Sequence, residues 1–271
     1  MRQFFKFRFQ PTVETVQAMA VVVSYIIILG VMLTFVAPRS GLLAGNIVTL
    51  TYLCIFIATL IFVYRRRSFA AIGVTNRYWM ISAILGTLIG GMGLLGTMNC
   101  FPGGTFHLPA LPSLLTLLLA GLSAGLIEDI VLYGYCQFRL EEAFGPLLAV
   151  LGSALAWTLA HGAVLTLPGA GTYSASCVGE KSFLVSLFIT FLIIGLIVHF
   201  TRNIWAGVVQ NALMGNVLTN LYMLNVMPEK VFIADPGNLP VALFTAIFVT
   251  AGLIGSAYLL VRDRLTSPLQ R

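Results

Sequence analysis

Two adjacent carboxylates, Glu128 and Asp129, lie inside an apolar run that begins near Leu111. An ionised carboxyl at membrane depth costs on the order of a few kcal/mol, so such residues face a polar interior and serve a function. Neighbours on a helix are rotated by about 100°, so the two carboxylates meet different partners. Asp129 and Tyr133 are one turn apart, within reach of a phenol-to-carboxylate hydrogen bond that leaves Glu128 free for something else. A second apolar run carries Trp157-Thr-Leu-Ala-His161 and a third carries Gln210-Asn211-Ala-Leu-Met-Gly215-Asn216, followed by Asn220. A buried carboxylate can take a proton from water, and an amide N–H can stabilise a developing oxyanion. Glu128, His161 and Asn211 therefore suffice in principle to hydrolyse a peptide bond without a metal or a covalent intermediate.

Other uses of these residues are weaker. A zinc site needs about three protein ligands, and the chain has neither H-E-x-x-H nor a cysteine–histidine cluster. A site made of Glu128, Asp129 and His161 would be poor, so no metal and no other cofactor is expected. No G-x-S-x-G occurs, and Ser153 has no evident partner for a serine mechanism. The bland alternatives are a carboxyl satisfied by a neighbouring helix, a packing histidine and amides that knit helices together. His107, in a loop rich in proline and glycine, and His199, near Arg202, read as interfacial. Glu141 and Glu142 read as solvated on a short polar step between spans.

The elements that must position the three groups are membrane spans. The chain has 271 residues, of which 59% are hydrophobic and only 9% charged, with a mean hydropathy of +0.97. A soluble domain of this size would present far more polar surface. The expected fold is all-α, a single integral membrane domain over 1–271 with a core over 111–223 that holds the three runs. Eight apolar segments, about Val16–Ala37, Leu42–Tyr64, Trp79–Met98, Leu111–Phe138, Leu147–Leu165, Phe183–Phe200, Ile204–Met223 and Pro240–Val261, each supply about the 20 residues a crossing needs. The basic start and the long first segment read as a retained span. With eight crossings and cytoplasmic termini, all Lys and Arg fall inside except Arg39, Lys181 and Lys230, a strong positive-inside bias. The net charge of +6 is dispersed among loops, which points to topology and the lipid bilayer as partner, and away from nucleic acid. Arg65–Arg67 reads as a topology anchor. Cys54 and Cys136 read as small core residues, whereas Cys100 and Cys177 fall in loops on the outer side and could pair if that side is oxidising.

The three runs resemble those of the CPBP family, the CAAX-protease and bacteriocin-processing (Abi) group of intramembrane glutamic endopeptidases. Glu128-Asp129-Ile-Val-Leu-Tyr133-Gly134 resembles the family's E-E-x-x-x-R, with aspartate for the second glutamate and tyrosine for arginine. Trp157-Thr-Leu-Ala-His161 resembles F-x-x-x-H, with tryptophan first. Asn203-Ile-Trp-Ala-Gly, leading into Asn211-Ala-Leu-Met-Gly215, resembles the H-x-x-x-N region, with Asn211 for histidine and Gly215 for asparagine. Asn216 would not replace the lost asparagine in an unbroken helix, because it lies about 100° away from position 215. The resemblance spans about Leu118 to Leu218. It implies Glu128 as base for the attacking water, His161 orienting that water and Asn211 as oxyanion donor, with Asp129, Tyr133, Trp157 and Asn216 in support. The implied substrate is a membrane-associated protein or peptide, and the compact size and short loops suit a prokaryotic inner membrane. The alternatives are an inactive relative acting as a membrane scaffold or immunity factor, and a small transporter using Glu128 as a proton-linked site.

Overall fold

The computed structural model describes residues 4–31, 44–66, 68–165, 178–226 and 235–266, which form helices with no strand among them. Each of the eight apolar segments is helical where described. The helices are α1 (Val13–Val31), α2 (Ala44–Arg66), α3 (Trp79–Cys100), α4 (Leu111–Phe144), α5 (Pro146–Leu165), α6 (Glu180–Thr201), α7 (205–223) and α8 (Leu239–Thr266). Four stretches are long and apolar enough to cross a membrane: α3, α4, α6 and Pro236–Asp263, which contains most of α8. Together with the composition they support an integral membrane protein.

Local chemistry sets several boundaries. Thr12 and Thr15 cap α1 reciprocally: the Thr12 amide donates to the Thr15 hydroxyl at 3.1 Å and the Thr15 amide to the Thr12 hydroxyl at 3.2 Å. The expected polar step after span four is instead more helix, since α4 continues through Arg139, Glu141 and Glu142 to Phe144 and turns only at Gly145. Its 34 residues make a rod of about 50 Å, well beyond the ~30 Å of hydrocarbon.

The chain runs up and down so that one end of the bundle collects the charges. Arg66 of α2 and Arg139 of α4 both pair with Glu14 of α1, and Arg139 also pairs with Glu142 at 2.7 Å. Arg202, just after α6, pairs with Glu141 at 2.7 Å, and Tyr64 of α2 donates to Asp263 of α8 at 3.1 Å. Glu141 is thus buried and paired, with His199 at 3.0 Å from its other oxygen and Gln137 donating to that oxygen at 3.2 Å. This corrects the expectation of a solvated Glu141, while His199 sits at the charged end beside Arg202 as expected. Arginines from three helix ends converge on three glutamates here, which keeps the carboxyl of Glu141 satisfied where a solvent-facing loop had been expected. Cys136 is buried as expected, but Cys54 is exposed on α2.

α4 is the central helix. About 61% of its apolar window is buried inside the protein, against 17–22% for the other three candidate spans, and it packs on α2, α7 and α8. α7 lies between α3 and α4 along two lines of small residues. Gly86 and Gly90 of α3 leave no room for a Cβ beside Ala206 and Met214 of α7. On the other side, a Cβ at Gly125 of α4 would lie 2.6 Å from the Ala212 Cβ, and one at Gly121 would lie 3.2 Å from the Asn216 Cβ. The pairs 121/216 and 125/212 show that α4 and α7 are antiparallel and in close contact, the geometry that small residues four apart allow between membrane helices.

Candidate active site

The seam between α4 and α7 carries Glu128 and Asn211 into contact. The Asn211 Nδ2 donates to Glu128 Oε2 at 2.8 Å, linking positions 83 residues apart. The entry of α7 is fixed from the charged end. Asn203, fully buried, donates to the carbonyls of Thr75 at 2.8 Å and Arg77 at 3.0 Å and accepts from the Trp205 amide. Ser82 of α3 accepts from the Ala206 amide at 3.0 Å. These bonds tie the α6–α7 turn to the α2–α3 turn and to α3, and so set the height of Asn211 against α4.

Both motif helices contain wide turns with i→i+5 hydrogen bonding, Ile130–Gln137 in α4 and Val209–Thr219 in α7. Such turns are rare, and where they occur they are frequent at functional sites. The wide turn of α7 leaves Gly215 on the side of Asn211, where a Cβ would lie 4.0 Å from the Asn211 Oδ1, and Asn216 takes a different partner. The Asn216 amide points to the Gly121 carbonyl at 3.4 Å, and Asn220 donates to the Asn216 carbonyl at 2.8 Å. One amide thus reaches across the seam to α4, one bonds within α7 and one faces the carboxylate.

The two carboxylates have different surroundings. Glu128 keeps 8% of its surface exposed, whereas Asp129 has none. Asp129 is sealed against Gly207 of α7, where a Cβ would stand 2.6 Å from its Oδ1. Neither Asp129 oxygen has a hydrogen-bond partner among the described residues. The Tyr133 hydroxyl does not serve it. That hydroxyl donates to the Phe191 carbonyl of α6 at 3.3 Å. The reason is steric. A Cβ at Gly207 would lie 3.1 Å from one edge of the Tyr133 ring and one at Gly195 of α6 would lie 3.8 Å from the other. The ring lies between two glycines and its hydroxyl is delivered to α6.

His161 sits on the aromatic neighbour of that ring. Trp157, fully buried, stacks on Phe191 with centroids 4.9 Å apart and lies 6.3 Å from the Tyr133 ring. His161 packs on Trp157 and Phe191 at 5.3 and 5.4 Å. Its Nδ1 lies 3.0 Å from the Trp157 carbonyl oxygen. A carbonyl can only accept, so Nδ1 carries the proton and, in the neutral ring, Nε2 is left as an acceptor. The structure therefore brings Glu128 to Asn211 and packs Tyr133, Trp157 and His161 together through Phe191, without a direct ion pair between His161 and either carboxylate. Among the described residues, no three His, Cys, Asp or Glu side chains are grouped to hold a metal ion. Cys100 ends α3, and Cys177, its expected partner, lies outside the described residues.

Gly207 is the residue the sequence argument passed over. Its signal was its place four residues before Asn211 on the same run, as Gly121 and Gly125 gave theirs by G-x-x-x-G spacing inside an apolar segment.

No curated protein and no solved structure matches this chain. Residues 110–218, which hold all three motifs, match the model of a protease family described as type II CAAX prenyl endopeptidase Rce1-like, the group that the motifs resemble.

Proposed function

We propose that this protein is an intramembrane endopeptidase that hydrolyses one peptide bond of a membrane-associated protein or peptide, with Glu128 activating the attacking water. The observation that carries this reading is the 2.8 Å bond from Asn211 to Glu128, which joins two of the three motifs across the seam of the matched segment. An amide nitrogen has two N–H donors. One holds Glu128 Oε2, and the other is available to the carbonyl oxygen of a substrate as it becomes an oxyanion. Glu128 Oε1 takes a proton from water while His161 Nε2 accepts the water's second hydrogen and orients it. The water oxygen bonds to the scissile carbon, the Glu128 proton passes to the departing nitrogen, and the products are an acid and an amine. Asp129, sealed from solvent, supports the seam and does not touch the water.

The same reading takes the eight helices as eight crossings with both termini cytoplasmic. It is supported by the gathering of Arg66, Arg139 and Arg202 at one end of the bundle and by the positive-inside rule. A prokaryotic inner membrane is its expected location.

The test is cleavage of a prenylated peptide with a C-terminal CAAX sequence, and of membrane-anchored peptide reporters, by protein reconstituted in vesicles. Wild type should cleave at least one and Glu128→Gln none. A Glu128→Gln strain that keeps the full cellular phenotype would favour the scaffold alternative, and uptake of solute that tracks a pH gradient would favour transport.

A further inference from the structure

The N-terminal segment ahead of α1 makes a turn at residues 4–5 and then runs without helix across the charged end of the bundle. The Arg8 amide donates to the Phe144 carbonyl at 3.3 Å and the Gln10 amide to the Ala143 carbonyl at 2.9 Å. Gly145 carries no side chain where the Lys6 carbonyl passes, and its φ of +91° makes the turn that receives it. Phe4 packs on His199 and Phe200 at 5.3 and 5.9 Å, and Phe9 on Phe144 at 5.9 Å. The strap is thus held to the ends of α4 and α6 by its backbone and two of its rings.

Most of its apolar surface is nevertheless left open. Phe5, Phe7 and Phe9 are 65–72% exposed, and Phe200 beside them is 69% exposed. Phe5, Phe7 and Phe9 alternate along the chain with Lys6 and Arg8, and all five side chains are exposed. Exposed apolar surface on a span is covered by lipid tails, but this segment is no span. It lies level with the ring of ionic groups that closes the bundle, where bilayers change from tails to headgroups.

Charge identifies the cover. The three glutamates at this end are all taken: Glu14 by Arg66 and Arg139, Glu142 by Arg139, and Glu141 by Arg202 and His199. Lys6, Arg8 and Arg65 have no carboxylate partner among the described residues. Exposed phenyl groups interleaved with uncompensated cations have the composition of segments that lie in the interface of an anionic leaflet.

We infer that residues 4–10 form an interfacial strap that inserts Phe5, Phe7 and Phe9 at the headgroup–acyl boundary of an anionic leaflet, with Lys6 and Arg8 against lipid phosphates. Bound there, the strap clamps the α4–α5 turn at the lower end of the central helix. The inference needs the membrane reading but not the protease reading, and its test needs no substrate.

The experiment uses the full chain in phosphatidylcholine vesicles and in phosphatidylglycerol-rich vesicles. Hydrogen exchange at the Arg8 and Gln10 amides should be slower in the anionic bilayer. Lys6→Gln together with Arg8→Gln should remove that difference, lowering the protection by about thirtyfold for two interfacial cations. A fluorophore on Phe7→Cys, in a Cys54→Ser background, should be quenched by lipids carrying a quencher near the glycerol. Exchange within α4 reports whether each variant is folded. Equal protection in the two bilayers would overturn the inference. So would a fluorophore that escapes lipid quenching and responds only to protein density, since a second copy of the chain would then be the cover.

Discussion

Replacing Gly125 by alanine tests whether the α4–α7 seam sets the active geometry. The added Cβ would stand 2.6 Å from the Ala212 Cβ and 2.7 Å from its Cα, where carbon atoms rest at about 3.5–4.0 Å. Neither atom can rotate away, so the helices must part by about 1 Å at that level. The Asn211–Glu128 bond lies in the next turn and is 2.8 Å long. Parting by the same amount takes it to about 3.8 Å, past the ~3.2 Å that an N–H···O bond tolerates. Overpacking of this kind costs ~1–3 kcal/mol of stability, and a misplacement of about 1 Å can cost on the order of 100-fold in rate. The control is Gly93→Ala on α3, where an added Cβ meets nothing within 4 Å and alanine improves helix propensity. Thermal unfolding and peptide cleavage in the same vesicles give both readouts. Full activity and unchanged unfolding in Gly125→Ala, or equal loss in Gly93→Ala, would refute the reasoning.

Four further outcomes are expected. Glu128→Gln should lower cleavage by at least ~100-fold, the usual loss on removing a general base, with unfolding little changed, whereas Asp129→Asn should be the milder variant; equal losses would exchange their roles. Cleavage should fall as pH drops through the titration of Glu128, because the protonated acid cannot accept a proton from water, and a rate that rises in acid would contradict the base assignment. Tyr133→Phe removes one 3.3 Å bond to the Phe191 carbonyl but leaves the ring, so it should cost only about 0.5–1.5 kcal/mol in unfolding and reduce cleavage moderately. Mass spectrometry without reductant should show Cys100 joined to Cys177 with Cys54 and Cys136 free, and alkylation of all four cysteines would disprove the pairing.

The helices were legible because hydrophobic length is a strong signal and backbone groups in lipid must be satisfied within each segment. All eight apolar segments are helical where described, with α4 overrunning its expected end because Arg139 and Glu141 find ionic partners on α1 and after α6 and Glu142 pairs with Arg139. Glu128 and Asn211 stand out in the sequence because polar groups are scarce in such runs. Their pairing was not legible, since nothing local in the sequence reveals that 121/216 and 125/212 touch. The wide turns were hidden for a similar reason. Residues 209–219 are ordinary helix formers and amides, and the i→i+5 register shows only in the backbone and in the Thr219 hydroxyl bonding to the Met214 carbonyl at 2.7 Å.

The exchange of aspartate and tyrosine for the family's glutamate and arginine is coherent once Gly207 is taken into account. A glutamate at 129 would drive one more methylene into a space where the Asp129 Oδ1 already rests against α7. An arginine at 133 would place five donors between Gly195 and Gly207, where the phenol ring now fills the gap with a single donor delivered to Phe191. The shorter acid permits the close approach of α7 that brings Asn211 to Glu128. On this argument Asp129→Glu should be more damaging than Asp129→Asn, although glutamate is what the family motif carries. Asparagine keeps the size of the aspartate and fits beside Gly207, while glutamate pushes the seam apart as Gly125→Ala does. Cleavage and unfolding of the two variants, measured side by side, decide the point, and an Asp129→Glu protein as active as wild type would show that the seam has room the geometry denies.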